Sequence, residues 1–178
     1  MKSQPKSNKT KRKELIKSGT TNTNTDVVMT PRPLAKAIIN HLPISGKVMD
    51  PCLGTGAFFD QFPVSASKIY CEIEEGLNFY ECNERVDWIV SNPPWSHYRP
   101  FAKHAYTLAD NVAFLITNNH DIGLKARIRD MEEAGFGIRE IIMVDTPKEN
   151  WPQSGFQLGV CWKQKGYTGD VKMTRLSW

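Results

Sequence analysis

The chain has 178 residues, enough for one domain with its own core and too few for two, and its make-up (40% hydrophobic, 24% charged) predicts a packed globular protein. The formal net charge is +4, but residues 1–25 hold seven basic residues against the single acid Glu14, so everything from Asp26 onward sums to −2 and no broad basic face is predicted on the folded part, which leaves room for a local basic cleft. No run approaches the roughly 18 to 20 apolar residues of a membrane span, and the apolar centre of a secretory signal is missing, so an intracellular, cytoplasmic protein is expected.

Residues 1–25, built from Lys, Ser, Thr and Asn, read as a disordered basic tail, leaving one domain over 26–178. Thr30-Pro31 reads as a hydroxyl cap followed by a proline at the first position of a helix, with Leu34, Ile38 and Leu42, flanked by Ala35 and Ile39, as its buried stripe. A strand through Lys47 to Met49 enters Asp50, and the segment from Cys52 to Phe58 is predicted to turn tightly into a second helix. Strands are predicted over Lys68–Glu72, Val86–Val90 and Val112–Ile116, and helices over Arg99–Ala109 and Leu124–Ala134. That alternation predicts a mainly parallel sheet with helices on both faces. Ile138–Val144 and Phe156–Trp162 have only a loop rich in Pro, Lys, Asn and Gly between them, so they are predicted to form an antiparallel hairpin added to that sheet. Cys52, Cys71, Cys82 and Cys161 lack paired ligand spacing and read as reduced core thiols, while His41, His104 and His120 show no metal spacing and receive no role.

Two segments carry chemistry. In Asp50-Pro-Cys-Leu-Gly-Thr-Gly-Ala-Phe58, Gly54 and Gly56 follow a strand, where open parallel sheets bind cofactors, although many strand-to-helix turns use glycine for geometry alone. The third glycine of a dinucleotide fingerprint is missing, and no Gly-Lys-Ser/Thr follows, which excludes a P-loop. In Asn92-Pro-Pro-Trp95, directly after an apolar strand, the prolines fix φ and remove two donors, leaving rigid carbonyl and amide acceptors beside an aromatic face.

Together these segments resemble the S-adenosylmethionine-dependent N6-adenine DNA methyltransferases. The cofactor motif precedes the catalytic motif, as in the gamma group, and the resemblance runs from about Val27 to Lys165. It implies a Rossmann-like class I methyltransferase fold of the α/β type, with a seven-stranded, mainly parallel sheet and a C-terminal antiparallel hairpin. It also implies S-adenosylmethionine as cofactor, with Thr30 and Pro31 at its methionine end, Asp50 near its amino group, and Gly54 and Gly56 beneath it within a motif that includes Cys52, Ala57 and Phe58. Glu72 would accept from the ribose hydroxyls and Ile73 would lie against the adenine, with Asn78 and Phe79 where the family usually has an Asp-containing adenine contact. Asn92, also beside the cofactor, and the Pro93 carbonyl would accept the two hydrogens of the target amine, with Pro94 stiffening the loop and Trp95 stacking on a flipped base. Trp151 or Phe156, in the hairpin loop, would supply a second aromatic; Phe156 reads equally as a strand-initiating core residue, and Trp151, among polar residues, less so. His97, Tyr98 and Arg99 read as a solvated helix start.

The implied partner is duplex or single-stranded DNA, with phosphate contacts from the basic tail, in a monomer or homodimer. The 83 residues from Ser96 to Trp178 are consumed by the sheet, so no separate target-recognition domain is expected, and a short or relaxed target follows; the size would suit a phage or mobile-element enzyme in a bacterial host. Adenine in RNA and glutamine N5 in protein remain open as substrates, because the same tetrad holds any planar amine. An inactive cofactor-binding or DNA-presenting subunit is the alternative outside enzymes.

Overall fold

The computed structural model describes residues 28–178, so the basic segment 1–25 lies outside the described residues. Helix α1 (Arg32–His41) buries Leu34, Ala35, Ile38 and Ile39, the stripe predicted from their spacing. Its start differs from the expectation. Pro31, not Thr30, is the N-cap, no side chain caps the helix, and a proline lies in the first turn, where its missing N–H costs nothing.

Strand β1 (Lys47–Asp50) leads by a long turn to β2 (Ser67–Tyr70), and β3 (Val86–Ser91) follows. The predicted second helix does not form; the segment holds only a single 3-10 turn, Phe59–Gln61. Gly54 and Gly56 both adopt positive φ (54° and 77°), and Pro63 closes the stretch, so too few residues remain to offset the cost of helix nucleation. Phe58 and Phe62 anchor the turn by burial instead.

Next come α2 (Tyr98–Leu108), β4 (Ala109–Thr117), the helical turn α3 (Asn118–Asp121), α4 (Lys125–Glu133), β5 (Phe136–Val144), β6 (Leu158–Lys165) and β7 (Lys172–Leu176). The sheet order is β2-β1-β3-β4-β6-β5-β7. Six strands share one direction and β6 alone runs against them, pairing antiparallel with β4 and β5. The hairpin is therefore as expected from the sequence. The seventh strand is β7, on the outer edge beside β5, a segment whose exposed, mixed residues give no apolar run to read.

One core lies between the sheet and α1, and includes Val48, Trp88, Val90, Leu115 and Trp162; the other lies under α2 and α4, and includes Met49, Ile89, Phe101, Phe114 and Met131. Alternate residues of β1 and β3 thus feed opposite faces, as strands covered on both sides require. Glu140, buried on β5, ties α1 and β7 to the sheet: it meets His41 Nε2 (2.9 Å) and Lys172 Nζ (3.0 Å) and accepts from Thr174 Oγ1 (2.5 Å). Although burial opposes its charge, these three partners hold its carboxyl below the usual glutamate value. His41, given no role from its spacing, has this one. Among the described residues no helix is long and apolar enough to cross a membrane.

Candidate active site

The chain runs from β1 outward to β2 and then crosses back to β3 on the other side of β1. The carboxyl ends of β1 and β3 therefore bound a crevice at the point where the strand order reverses, the place where open α/β sheets take ligands. Asp50 closes β1 there and Ser91 closes β3, with Asn92 next. Ser91 Oγ donates to Asp50 Oδ1 (2.7 Å), and the Cys52 backbone N–H donates to the same oxygen (3.2 Å).

Asp50 is 1% exposed, and its second oxygen, Oδ2, is buried and has no hydrogen-bond partner of good geometry among the described residues. Burial pushes its carboxyl up to about 6, against the bonds from Ser91 and from the Cys52 and Phe59 backbone that favour the charge, and the nearby Glu72 carboxylate adds to the rise. Burial and the same two acids push the Cys52 thiol far upward, so it remains a neutral packing group.

Glu72 lies just beyond β2 and braces the glycine turn: its Oε2 accepts from Gly54 N–H (2.8 Å) and its Oε1 from Glu74 N–H (3.1 Å). An alanine at Gly54 would meet the flexible Met29 sulfur at 3.4 Å and the Cys52 carbonyl at 3.8 Å, both ordinary contacts, so its cost comes mainly from the left-handed backbone. We expect Gly54→Ala to lower stability by about 1 to 2 kcal/mol in denaturant titration.

The Asn92 amide is clamped in one orientation. Its Nδ2 donates to the Val28 carbonyl (3.0 Å), and its Oδ1 accepts from Trp95 Nε1 (3.2 Å), which also approaches the Leu115 carbonyl (3.3 Å). A carbonyl can only accept and an indole N–H can only donate, so the partners fix which end of the amide is oxygen. Oδ1 keeps a second lone pair.

The structure thus brings together Val28 to Thr30, the turn at Asp50 to Gly56, and Asn92 to Trp95. Thr30 is buried and Pro31 half-buried beside it. Ile73 stands exposed at the end of β2, and Asn78 caps the turn Phe79–Glu81, its Oδ1 accepting from Tyr80 N–H (3.2 Å) and its Nδ2 donating to Glu81 (3.1 Å). Three other residues expected at the cofactor point inward. Ala57 and Phe58 pack under α1, and Phe79 packs on Phe101 at 4.5 Å in the opposite core. Pro93 is buried and Pro94 half-buried.

The two hairpin-loop aromatics separate. Trp151 is 7% exposed and meets Trp95 edge-on at 6.2 Å, as a support in the core. Phe156 is 56% exposed and lines a cleft of about 300 Å³ together with Asp145, Thr146, Gln153 and Ser154. Two features lie beyond the sequence reading. Tyr98, expected in a solvated helix start, is 1% exposed, and His120, given no role, reaches the Trp95 carbonyl with Nε2 at 3.0 Å. Helical spacing carries the only earlier signal: Tyr98 stands three and four residues before the apolar Phe101 and Ala102.

No protein-family model matches the chain, and no curated protein matches it. Solved structures do. A candidate RNA methyltransferase from Pyrococcus horikoshii superposes with a TM-score of 0.61 at 18% identity over 90% of this chain and 98% of the other. A candidate class I S-adenosylmethionine-dependent methyltransferase from Listeria monocytogenes gives 0.62 at 13% over 90% and 68%. The type I restriction-modification methyltransferase subunit from Streptococcus thermophilus gives 0.60 at 14% over 83% and 47%, so the chain spans about half of that protein. The chain has the Rossmann-like class I methyltransferase fold.

Proposed function

We propose that this chain transfers a methyl group from S-adenosylmethionine to the N6 amino group of adenine in DNA, with a short or relaxed target. The observation that carries the reading is the clamped Asn92 amide, which follows directly on Ser91, the residue bonded to the buried Asp50 where β1 and β3 end. The residues fit the cofactor: among the described residues Asp50 Oδ2 has no partner of good geometry, a place a cationic amino group would fill, the glycine turn permits close approach, and Glu72 offers further lone pairs to ribose hydroxyls. When bound, the cofactor supplies an activated sulfonium methyl.

The protein must act on the amine, whose lone pair is delocalised into the ring. In this reading Asn92 Oδ1 and the Pro93 carbonyl accept its two hydrogens, favour a more tetrahedral nitrogen and aim the lone pair. Neither is a base, so the proton leaves to solvent after transfer. Trp95 packs against the flipped base, and the exposed Phe156 supplies the second aromatic face. The basic segment 1–25 adds phosphate contacts that carry no sequence information.

Tritiated methyl transfer to duplex DNA, single-stranded DNA, RNA and protein, followed by nucleoside and amino-acid analysis, tests the assignment. N6-methyladenine in DNA is expected; label confined to RNA or to glutamine would replace the substrate, and no label anywhere would leave a binding subunit. Phe156→Ala should raise KM for DNA by about tenfold with the fold intact, since base stacking contributes about 1–3 kcal/mol. Trp151→Ala should instead lower stability by about 3 kcal/mol or more, as a buried aromatic.

A further inference from the structure

Behind the Asn92–Trp95 loop lies a buried polar group that the proposed chemistry does not use. Lys163, on β6, is 2% exposed; its Nζ donates to Asp121 Oδ2 (2.6 Å) and to the Tyr98 hydroxyl (3.2 Å). That hydroxyl in turn donates to Asp121 Oδ1 (2.5 Å). Burial by itself would strip the proton from Lys163, but the Asp121 carboxylate outweighs it and holds the amine charged. A buried ion pair adds little net stability over apolar residues of the same shape, whereas removing one partner alone leaves a costly buried charge.

What it fixes is visible in the connections. Tyr98 opens α2 directly after the loop, where His97 N–H bonds the Pro94 carbonyl (3.2 Å). Asp121 closes α3, and its neighbour His120 places Nε2 between the Trp95 carbonyl (3.0 Å) and Arg127 Nη2 (3.1 Å), so the tautomer with its proton on Nε2 donates to the Trp95 carbonyl. Both anchor points of the loop's C-terminal end thus converge on Asp121, and through Lys163 on β6.

We propose that Tyr98, Asp121 and Lys163 form a buried positioning unit that sets the place of Trp95 and, through its indole bond, of the Asn92 amide. The three residues touch no reacting atom and act through the loop. The kinetic part of the test rests on the proposed methyl transfer; the spectroscopic part does not.

The chain is labelled with 5-fluorotryptophan, and the Trp95 resonance among the five is assigned with Trp95→Phe. Tyr98→Phe removes the anchor and leaves the ion pair. Tyr98→Phe with Asp121→Leu and Lys163→Met removes the whole unit without leaving a buried charge or a stranded hydroxyl, so the fold is retained. In both variants the Trp95 resonance should shift or broaden while Trp88 and Trp178 stay fixed. On DNA, kcat should fall about tenfold, as for one lost hydrogen bond to a charged group, with KM and cofactor affinity within about twofold. Folded variants with an unchanged Trp95 resonance would overturn the proposal, and so would a displaced Trp95 with unchanged kcat. Absence of methyl transfer by the natural sequence on every substrate would refute the function while the fluorine spectra still decide the positioning.

Discussion

Replacing Asn92 by alanine should lower the single-turnover rate of methyl transfer by about a hundredfold to a thousandfold, with a much smaller change in cofactor affinity. The side chain has two duties. Its oxygen is the acceptor for the target amine in the proposed reaction, and its amide ties the loop to the Val28 carbonyl while receiving the Trp95 indole. Alanine removes the acceptor and both tethers, although Trp95 keeps its approach to the Leu115 carbonyl. Asn92→Asp separates the duties: a carboxylate still accepts, but it has no N–H for Val28 and places oxygen against oxygen there. Its rate should fall between the natural sequence and the alanine variant. Full transfer by the alanine variant would remove Asn92 from the mechanism.

Asp50→Asn should make the unliganded protein more stable at pH 7 and cripple cofactor binding. The argument runs through ionisation. The carboxyl of the folded chain sits at about 6, against 3.8 for an ordinary aspartate, because burial disfavours its charge. At about 1.4 kcal/mol for each tenfold, holding that charge at pH 7 costs the fold about 3 kcal/mol. The folded state binds the proton more tightly than the unfolded one, so this group's contribution to stability falls as pH rises from about 4 to about 6 and is flat above. An asparagine avoids the charge and keeps an oxygen for Ser91 and Cys52, but it buries an N–H pair in place of the lone Oδ2, which returns part of the gain. A net gain of about 1 to 3 kcal/mol in denaturant unfolding at pH 7 is expected, shrinking toward pH 4.

Binding runs the other way. A cationic amino group favours the ionised carboxylate, so cofactor affinity of the natural sequence should weaken below about pH 6 and that dependence should vanish in the variant. Calorimetric binding of S-adenosylmethionine from pH 5 to 8 measures both. A variant no more stable at pH 7, or one that binds as the natural chain does, would show that Asp50 is not held charged for a ligand. A charged, under-satisfied group at a strand end is the sort of stability cost that a binding site retains.

Much of the sheet and both chemical motifs were legible because they depend on local signals. Apolar runs mark β1, β3, β4 and the hairpin, a stripe of Leu and Ile marks α1, and glycine and proline mark the two turns. The second helix was misread because a glycine turn after a strand so often opens one, whereas here the residues between Gly56 and Pro63 spend their apolar side chains on a packed turn. Strand β7 was missed because its five residues stay largely exposed and form a strand only by pairing with β5.

From the chain alone came the motif chemistry: which side chains can accept from an amine, which turn can admit a ligand, and the order in which they follow strands. Tertiary structure alone decided which of these residues face the crevice. Phe58, Phe79 and Trp151 carry the right rings, yet sheet packing turns them inward, while Phe156 stays on the surface. It also decided that Tyr98, Asp121 and Lys163, from three separate segments, share one buried site. Pairing between β4 and β6 brings those segments together, and hydrogen bonds among groups so far apart in the chain leave no periodicity or local pattern to read.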